Sequence, residues 1–187
     1  MNNVMVGGLH RGSQWAFYET IGVGLGGQSD RDGIDGIQCN MTNTLNTPVE
    51  EIERSLPLMI TKYEFRPDSS GAGKFRGGSG LVRRYRVLSN ETTFTIIAER
   101  ERHAPWGLLG GRSGSRTEVI LSSNGRDSKV SSKSTLVLSR DDEVEVRTAG
   151  GGGFGSPRRR SLSSIRWDMS DGFLTLVKAR KDYGFPK

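Results

Sequence analysis

From Asp32 to Ser55 the sequence reads DGIDGIQCNMTNTLNTPVEEIERS, a polar stretch of short side chains that passes directly into a helix start. Thr47 has the chemistry of an N-cap, Pro48 suits the first helical position, and Glu50 completes a Thr-x-x-Glu capping box. Glu51 and Glu53 add negative charge where the helix dipole favours it, and Val49, Ile52 and Leu56 form one narrow apolar stripe that Pro57 ends. The spacing therefore predicts one short, capped helix. Upstream lie Asn40, Thr42, Asn43, Thr44 and Asn46, uncharged groups that donate and accept hydrogen bonds. Such groups can pin a loop through Asx and Ser/Thr turns, or they can receive an oxyanion or a polarised carbonyl; spacing alone favours pinning.

Working outward, the rest reads as β framework. Strands are predicted at 15–21, 58–65, 81–88, 92–99, 118–122, 135–139 and 143–148, with Arg140-Asp141-Asp142 as a hairpin turn between the last two. A C-terminal helix is predicted over Asp171–Tyr183, with Leu174, Val177 and Lys178 near one face and Gly184 ending it. The fold class expected is mainly β with some helix (α+β): a glycine-rich β-sandwich or open barrel-like sheet. A prior of about one domain per 150 residues favours a single domain over 1–187. Within it, 1–57 holds the polar loop, 58–157 is the β-rich region and 158–187 a tail with the helix.

Only 33% of residues are hydrophobic and 26 are glycine, so the core is expected to be thin and to lean on another chain or a missing part of its own. Marginal stability in isolation follows; a cooperative thermal transition well above about 65 °C would contradict it. No run approaches the roughly 18 apolar residues of a membrane span, and the N-terminus lacks the order of a signal peptide, so a cytoplasmic location is expected. The single Cys39 allows no internal disulfide, and the Asn-x-Thr sequons at Asn40 and Asn90 then carry no glycan.

A net charge of +6 raises nucleic-acid binding, but the basic residues are dispersed, with Arg83-Arg84-Tyr85-Arg86 and Arg158-Arg159-Arg160 as the clusters and no accompanying motif. Nucleic acid is therefore disfavoured. Gly22, Gly24 and Gly27 satisfy G-x-G-x-x-G, yet no helical pattern follows, which removes a dinucleotide fold and leaves a flexible or closely approached backbone. Gly71, Gly73, Gly77, Gly78 and Gly80 require left-handed backbone or tight approaches, and no glycine run ends as a P-loop does. His10 and His103 stand far apart and Cys39 has no neighbouring base. Asp30, Asp32 and Asp35 read as a solvated acidic turn rather than a cation site, and no metal site is assigned.

Four stretches together carry a resemblance: ETIGVGLGGQSDRDGIDGIQCNMTNTLNTPVEEIE, YEFRPDSSGAGKFRGGSGLVRRY, APWGLLGGRSG and TAGGGGFGSP. In this order the chain resembles the hydantoinase B family, which includes 5-oxoprolinase, the B-type component of N-methylhydantoinase and subunits of acetone and acetophenone carboxylases. The resemblance covers the C-terminal portion of such proteins, so Met1 is expected to be an in-frame methionine of a truncated, split or misannotated gene.

The resemblance implies a hydantoinase A-type ATPase partner, the missing N-terminal B-type segment, and a small cyclic-amide substrate. ATP and a divalent metal are expected in that partner or segment, and no cofactor is assigned to this chain. Asn43, Thr44 and Asn46 are assigned to hydrogen bonding the substrate, with Thr42, Asp35 and Arg66 as further substrate-binding candidates, which makes 1–57 a substrate-loop segment. Relatives often carry His-x-His where this chain has Gln38-Cys39-Asn40, an Arg at Leu45 and an Asp at Ser156. Loss of imidazoles removes proton-transfer groups, so either the substrate differs or activity is weakened. The alternatives are a non-catalytic remnant or interaction module of such an assembly, and a subunit of a related ketone carboxylase.

Overall fold

The computed structural model describes residues 2–38 and 42–186. Its strands form two antiparallel sheets. One is ordered β2 (Ser13–Thr20), β1 (Asn2–His10), β5 (Thr92–Ala98) and β8 (Lys133–Leu138); the other is β3 (Leu58–Phe65), β4 (Leu81–Val87), β9 (Glu143–Arg147), β6 (Glu118–Ser123) and β7 (Arg126–Val130). Val4, Val6, Phe94 and Ile96 from the first sheet share a buried cluster with Tyr85, Val87, Val144 and Val146 from the second. The Tyr85 and Phe94 rings meet edge-on across the layers, 5.6 Å between centroids. The fold is thus the mainly-β sandwich, and neither sheet closes into a barrel.

Several details depart from the pattern. Strands β8 and β9 lie in different sheets, so Arg140-Asp141-Asp142 is a crossover and not a hairpin: its turn forms, with Asp142 N–H donating to Ser139 C=O, but the chain changes layer. Strand β7 lacks the apolar alternation of a half-buried strand because it is an exposed edge, held by register on β6. The Asn124-Gly125 turn between them, with both residues at positive φ, is a sequence signal for that hairpin. Helix α1 (Val49–Ser55) starts one residue later than expected: Pro48, at ψ 139°, is outside the helix, no side chain caps it, and the predicted box does not form. At the C-terminus Asp171–Thr175 is not helical. Instead α2 (Leu162–Ser170) precedes it, capped by Ser161 accepting from Ser164 N–H at 3.1 Å, and α3 (Leu176–Lys178) runs on as a wider turn to Tyr183 before the left-handed Gly184.

The glycine-rich segments form the second structural principle. They are neither strands nor helices, and they bond to each other through backbone groups at three-residue intervals. Gly24 and Gly27 N–H donate to the carbonyls of Ala149 and Gly152 (3.0 and 2.8 Å), and Gly33 and Gly36 to those of Arg76 and Ser79 (2.8 and 2.9 Å). Three residues is the period of polyproline-II chain, whose backbone has no internal hydrogen bonds and is free to bond its neighbours. A β-carbon on Gly78 would lie 1.9 Å from Ile34 O, and one on Gly151 2.0 Å from Leu25 O, neither glycine being left-handed. Close approach, not positive φ, is therefore why glycine stands at 71, 73, 77, 78 and 80, and likewise at 22, 24 and 27. The scarcity of apolar side chains has its counterpart here, since this part of the molecule is held by paired backbone.

An ion network ties this bundle to the C-terminal helices. The Arg76 guanidinium donates to both carboxylate oxygens of Asp35 (2.7 and 3.1 Å) and to Asp168 (3.0 Å). Arg160 donates to Asp168 (3.0 Å) and to both oxygens of Asp32 (2.7 and 2.8 Å). The acidic turn is thus neither a fully solvated turn nor a cation site at Asp32 and Asp35, because Arg76, 41 residues from Asp35, and Arg160, 128 residues from Asp32, satisfy them; Asp30 alone stays exposed, 3.7 Å from Arg31. Burial raises the Asp168 carboxyl despite its two arginines; Asp32 is held below the usual range, the opposing effect of burial being outweighed by Arg160 and Arg76.

Beside the network, burial pushes the Tyr183 hydroxyl up to about 12. A tyrosine raised in the folded state stabilises the fold fully below the unfolded value near 10 and loses that contribution as pH rises towards 12, a slope of about 1.4 kcal/mol per pH unit per tyrosine. Tyr85, also raised by burial, acts in the same direction. Urea unfolding between pH 9 and 12 should therefore show stability falling above pH 10, and Tyr183→Phe should remove about one tyrosine's share of that fall.

Candidate functional site

The polar loop at 42–47 lies over the inward-facing end of β2 and β4, and its attachment is built from buried charge. Alternation along β4 turns Leu81, Arg83, Tyr85 and Val87 inward. Arg83 is fully buried, and its Nε donates to Glu19 Oε1 on β2 at 2.7 Å. The Tyr85 hydroxyl donates to the same oxygen. The Arg83 guanidinium also stacks 4.3 Å from the centroid of the Tyr63 ring on β3, a cation–π contact that the ring's exposed edge leaves partly solvated. Arg83 Nη1 is buried with no partner among the described residues.

Onto this pair and the adjoining Thr20 the loop is fastened by alternate residues. Asn46 Nδ2 donates to Glu19 Oε2 and to Thr20 C=O, both at 2.9 Å, while its Oδ1 accepts from the Tyr63 hydroxyl at 2.9 Å. Thr44 and Thr20 hydroxyls share a 2.5 Å hydrogen bond, and Gln38 Nε2 donates to both the carbonyl and the hydroxyl of Thr20 at 3.1 Å. The Thr47 carbonyl accepts from Arg83 Nη2 at 3.4 Å, so Thr47 fastens the loop through its backbone and caps nothing. Between these anchors Asn43 is exposed and Leu45 is 96% exposed, with Thr42 half-buried. Cys39, Asn40 and Met41, including the position of the second family histidine, lie outside the described residues.

Of the six candidates from the sequence, the structure brings Thr42, Asn43, Thr44 and Asn46 together. Asp35 and Arg66 are engaged elsewhere. Asp35 holds Arg76 and accepts from Ser79 N–H at 2.6 Å; Arg66 donates to Arg116 C=O and Thr148 C=O and pairs with Glu118 at 2.8 Å. No hydrogen bond joins either to the loop among the described residues. Glu19, Arg83, Tyr63 and Gln38 were not candidates from sequence. A charge at an inward register position, as at Arg83 between Leu81 and Tyr85, is the signal that finds such a buried pair. Its neighbours Arg84 and Arg86 point outward and are neutralised by Glu145 and Glu143 (2.7 and 2.8 Å), which disperses the apparent basic cluster.

Among the described residues no three His, Cys, Asp or Glu side chains converge as a metal site would require. No helix there is long and apolar enough to cross a membrane.

The Hydantoinase B/oxoprolinase family model matches residues 1–157. The chain belongs to this family. A 5-oxoprolinase of Dictyostelium discoideum is 37% identical over 156 residues, which cover 83% of this chain and 12% of the relative. An uncharacterized protein of Methanocaldococcus jannaschii is 49% identical over 183 residues, 98% of this chain and 32% of the relative. A Pseudomonas sp. (strain NS671) protein designated the B-type subunit of a D-/L-hydantoinase is 30% identical over 184 residues, 97% of this chain and 31% of its own length. This member of the hydantoinase B/oxoprolinase family thus spans a third or less of those relatives. The fold is shared with an acetone carboxylase (TM-score 0.84, 19% identity, 98% of this chain and 29% of that one) and with the ATP-dependent caprolactamase of Pseudomonas jessenii (TM-score 0.84, 24% identity, 98% and 33%).

Proposed function

We propose that this chain is the C-terminal part, or a small subunit, of an ATP-dependent cyclic-amide hydrolase of the 5-oxoprolinase or hydantoinase type. It contributes to ring opening in an assembly with a hydantoinase A-type ATPase and the N-terminal B-type segment. The observation that carries the reading is the loop itself: in a stretch that carries the resemblance, Asn46 is tied to a buried ion pair and Thr44 to Thr20 beside it, while Asn43 is left exposed. A donor held by a rigid backing suits a ring carbonyl whose oxygen gains negative charge as the amide opens, because a preorganised dipole needs no rearrangement at that moment. In this reading Asn43 and Thr42 meet substrate, Asn46 and Thr44 position the loop, and Asp35 and Arg66 hold the frame. The relatives named 5-oxoprolinase and hydantoinase support the substrate class.

A second reading, a non-catalytic structural module, is favoured by Gln38. It stands where relatives often carry a histidine, and its amide is bonded to Thr20 and supplies no titratable group.

The test is reconstitution: the chain co-expressed with the A-type neighbour and the N-terminal B-type segment, purified, and assayed for ATP hydrolysis dependent on 5-oxoproline or hydantoin. Stimulated turnover that requires this chain is expected. A complex whose turnover is the same without it would leave the structural module.

A further inference from the structure

The outer faces of the two sheets differ in kind. On the β3-β4-β9-β6-β7 sheet the outward positions carry ion pairs: Arg86 with Glu143 and Lys129 with Glu118 are in part open to water, and Arg84 covers the buried carboxylate of Glu145. On the β2-β1-β5-β8 sheet the same alternation turns out uncharged side chains: Tyr18 beside Met5 and Thr95, then Ala16 beside Gly7, Thr93 and Val137. Among the described residues Lys133 is the one charge at an outward strand position, at the margin, where it pairs with Glu99 at 2.9 Å. In a chain that is 26% charged, a whole sheet face almost without charge marks a surface not designed for water.

The face is also shaped. Gly7 and Ala16 at its centre leave an open depression of about 480 Å³ bounded by Met5, Tyr18, Thr93 and Thr95. Tyr18 is 57% and Val137 78% exposed. Four strands about 4.8 Å apart and roughly six residues long present on the order of 400 Å² of face, about half of one partner's share of an ordinary stable interface.

From this we infer that the outer face of the β2-β1-β5-β8 sheet is the docking surface for the part of the hydantoinase B-type polypeptide that this chain lacks. The inference rests on the proposed function. Length selects this occupant, since the match covers 32% and 31% of two relatives, so most of their polypeptide lies outside it and needs a surface to pack on. Topology agrees: β1 is an inner strand, paired from Asn2 to Ala98 on one side and flanked by β2 on the other, so its N-terminal end stands in the middle of this sheet, beside the face. A permanent intramolecular interface is depleted of charge, as this face is.

The test co-expresses the chain with an affinity-tagged N-terminal B-type polypeptide and measures co-purification by size exclusion with light scattering. Wild type should co-purify one to one. The pair Thr93→Glu and Val137→Glu, both at exposed outward positions, should lower recovery at least tenfold, while Ser128→Glu on the exposed edge of the other sheet should leave it unchanged. In a Cys39→Ala background, Thr93→Cys should react with a fluorescent maleimide in the free chain and be protected in the complex, a readout that does not depend on how well the glutamate variants fold. If the glutamate variants bind as wild type does and the introduced thiol stays reactive, the face is wrong while the proposed assembly stands. If wild type does not bind the N-terminal polypeptide at all, the proposed assembly fails and this inference with it. If the face instead mediates dimers of this chain, which the glutamates disperse, a second copy is the occupant and the inference is overturned.

Discussion

Changing Gly151 to alanine is expected to prevent folding. The added methyl would stand 2.0 Å from Leu25 O, 2.4 Å from Leu25 C and 2.8 Å from Gly26 N, all backbone atoms. Those atoms are not free to give way: Leu25 N–H donates to Ile34 C=O and Leu25 C=O accepts from Gly78 N–H. Relieving the clash means parting several of the paired segments, a cost of at least about 4–5 kcal/mol, comparable with the whole stability of a small domain. Gly26→Ala is the control. Its nearest neighbour is Gly152 O at 3.7 Å and its φ is not left-handed, so it should change stability by less than about 1 kcal/mol. Urea unfolding and soluble yield of the two variants separate the explanations: equal tolerance would mean that the segments do not pack backbone to backbone.

Arg83→Met should be nearly as damaging, by a different route. It removes the cation from Glu19, which is 4% exposed, and leaves a carboxylate held by Tyr85 and Asn46 alone. An uncompensated buried charge costs about 3–5 kcal/mol, whereas removing both charges together is often close to neutral. The double change Arg83→Met with Glu19→Leu should therefore recover much of that loss in chemical denaturation. It should not restore the loop, because Asn46 loses an acceptor and Thr47 a donor. Faster backbone amide exchange across 42–47 in the double variant, against wild type, is the expected sign; unchanged exchange there would show that the loop does not depend on the ion pair.

The strands were legible wherever one face is buried, because a period of two marks them; Thr92–Ala98 is the clearest example, while Glu143–Arg147 alternates in sequence although Glu145 is buried as well. Strand β1, with two glycines among its residues, and the edge strand β7 carry too little of that pattern. Boundaries at α1 failed for a local reason. Pro48 can start a helix, but here its extended ψ places Thr47 outside capping range, and the Thr47 carbonyl faces Arg83. The glycines were legible as special and ambiguous in kind, since close approach is decided by segments more than 100 residues distant, such as Gly24 against Gly151. For the site, the loop's polar side chains stand together in sequence, but the pair that anchors it joins Glu19 to Arg83 across two sheets. The same long-range pairing gave Asp32 and Asp35 to arginines at 160 and 76.

The most direct measurement is substrate-dependent ATP hydrolysis by the reconstituted complex carrying Asn43→Ala. Asn43 is exposed and makes no side-chain hydrogen bond among the described residues, so the variant should melt as wild type does. The expected result is that kcat/KM for the cyclic amide falls at least tenfold, about 1.4 kcal/mol of lost transition-state stabilisation. Turnover equal to wild type in an intact complex would contradict it and leave the loop a structural feature.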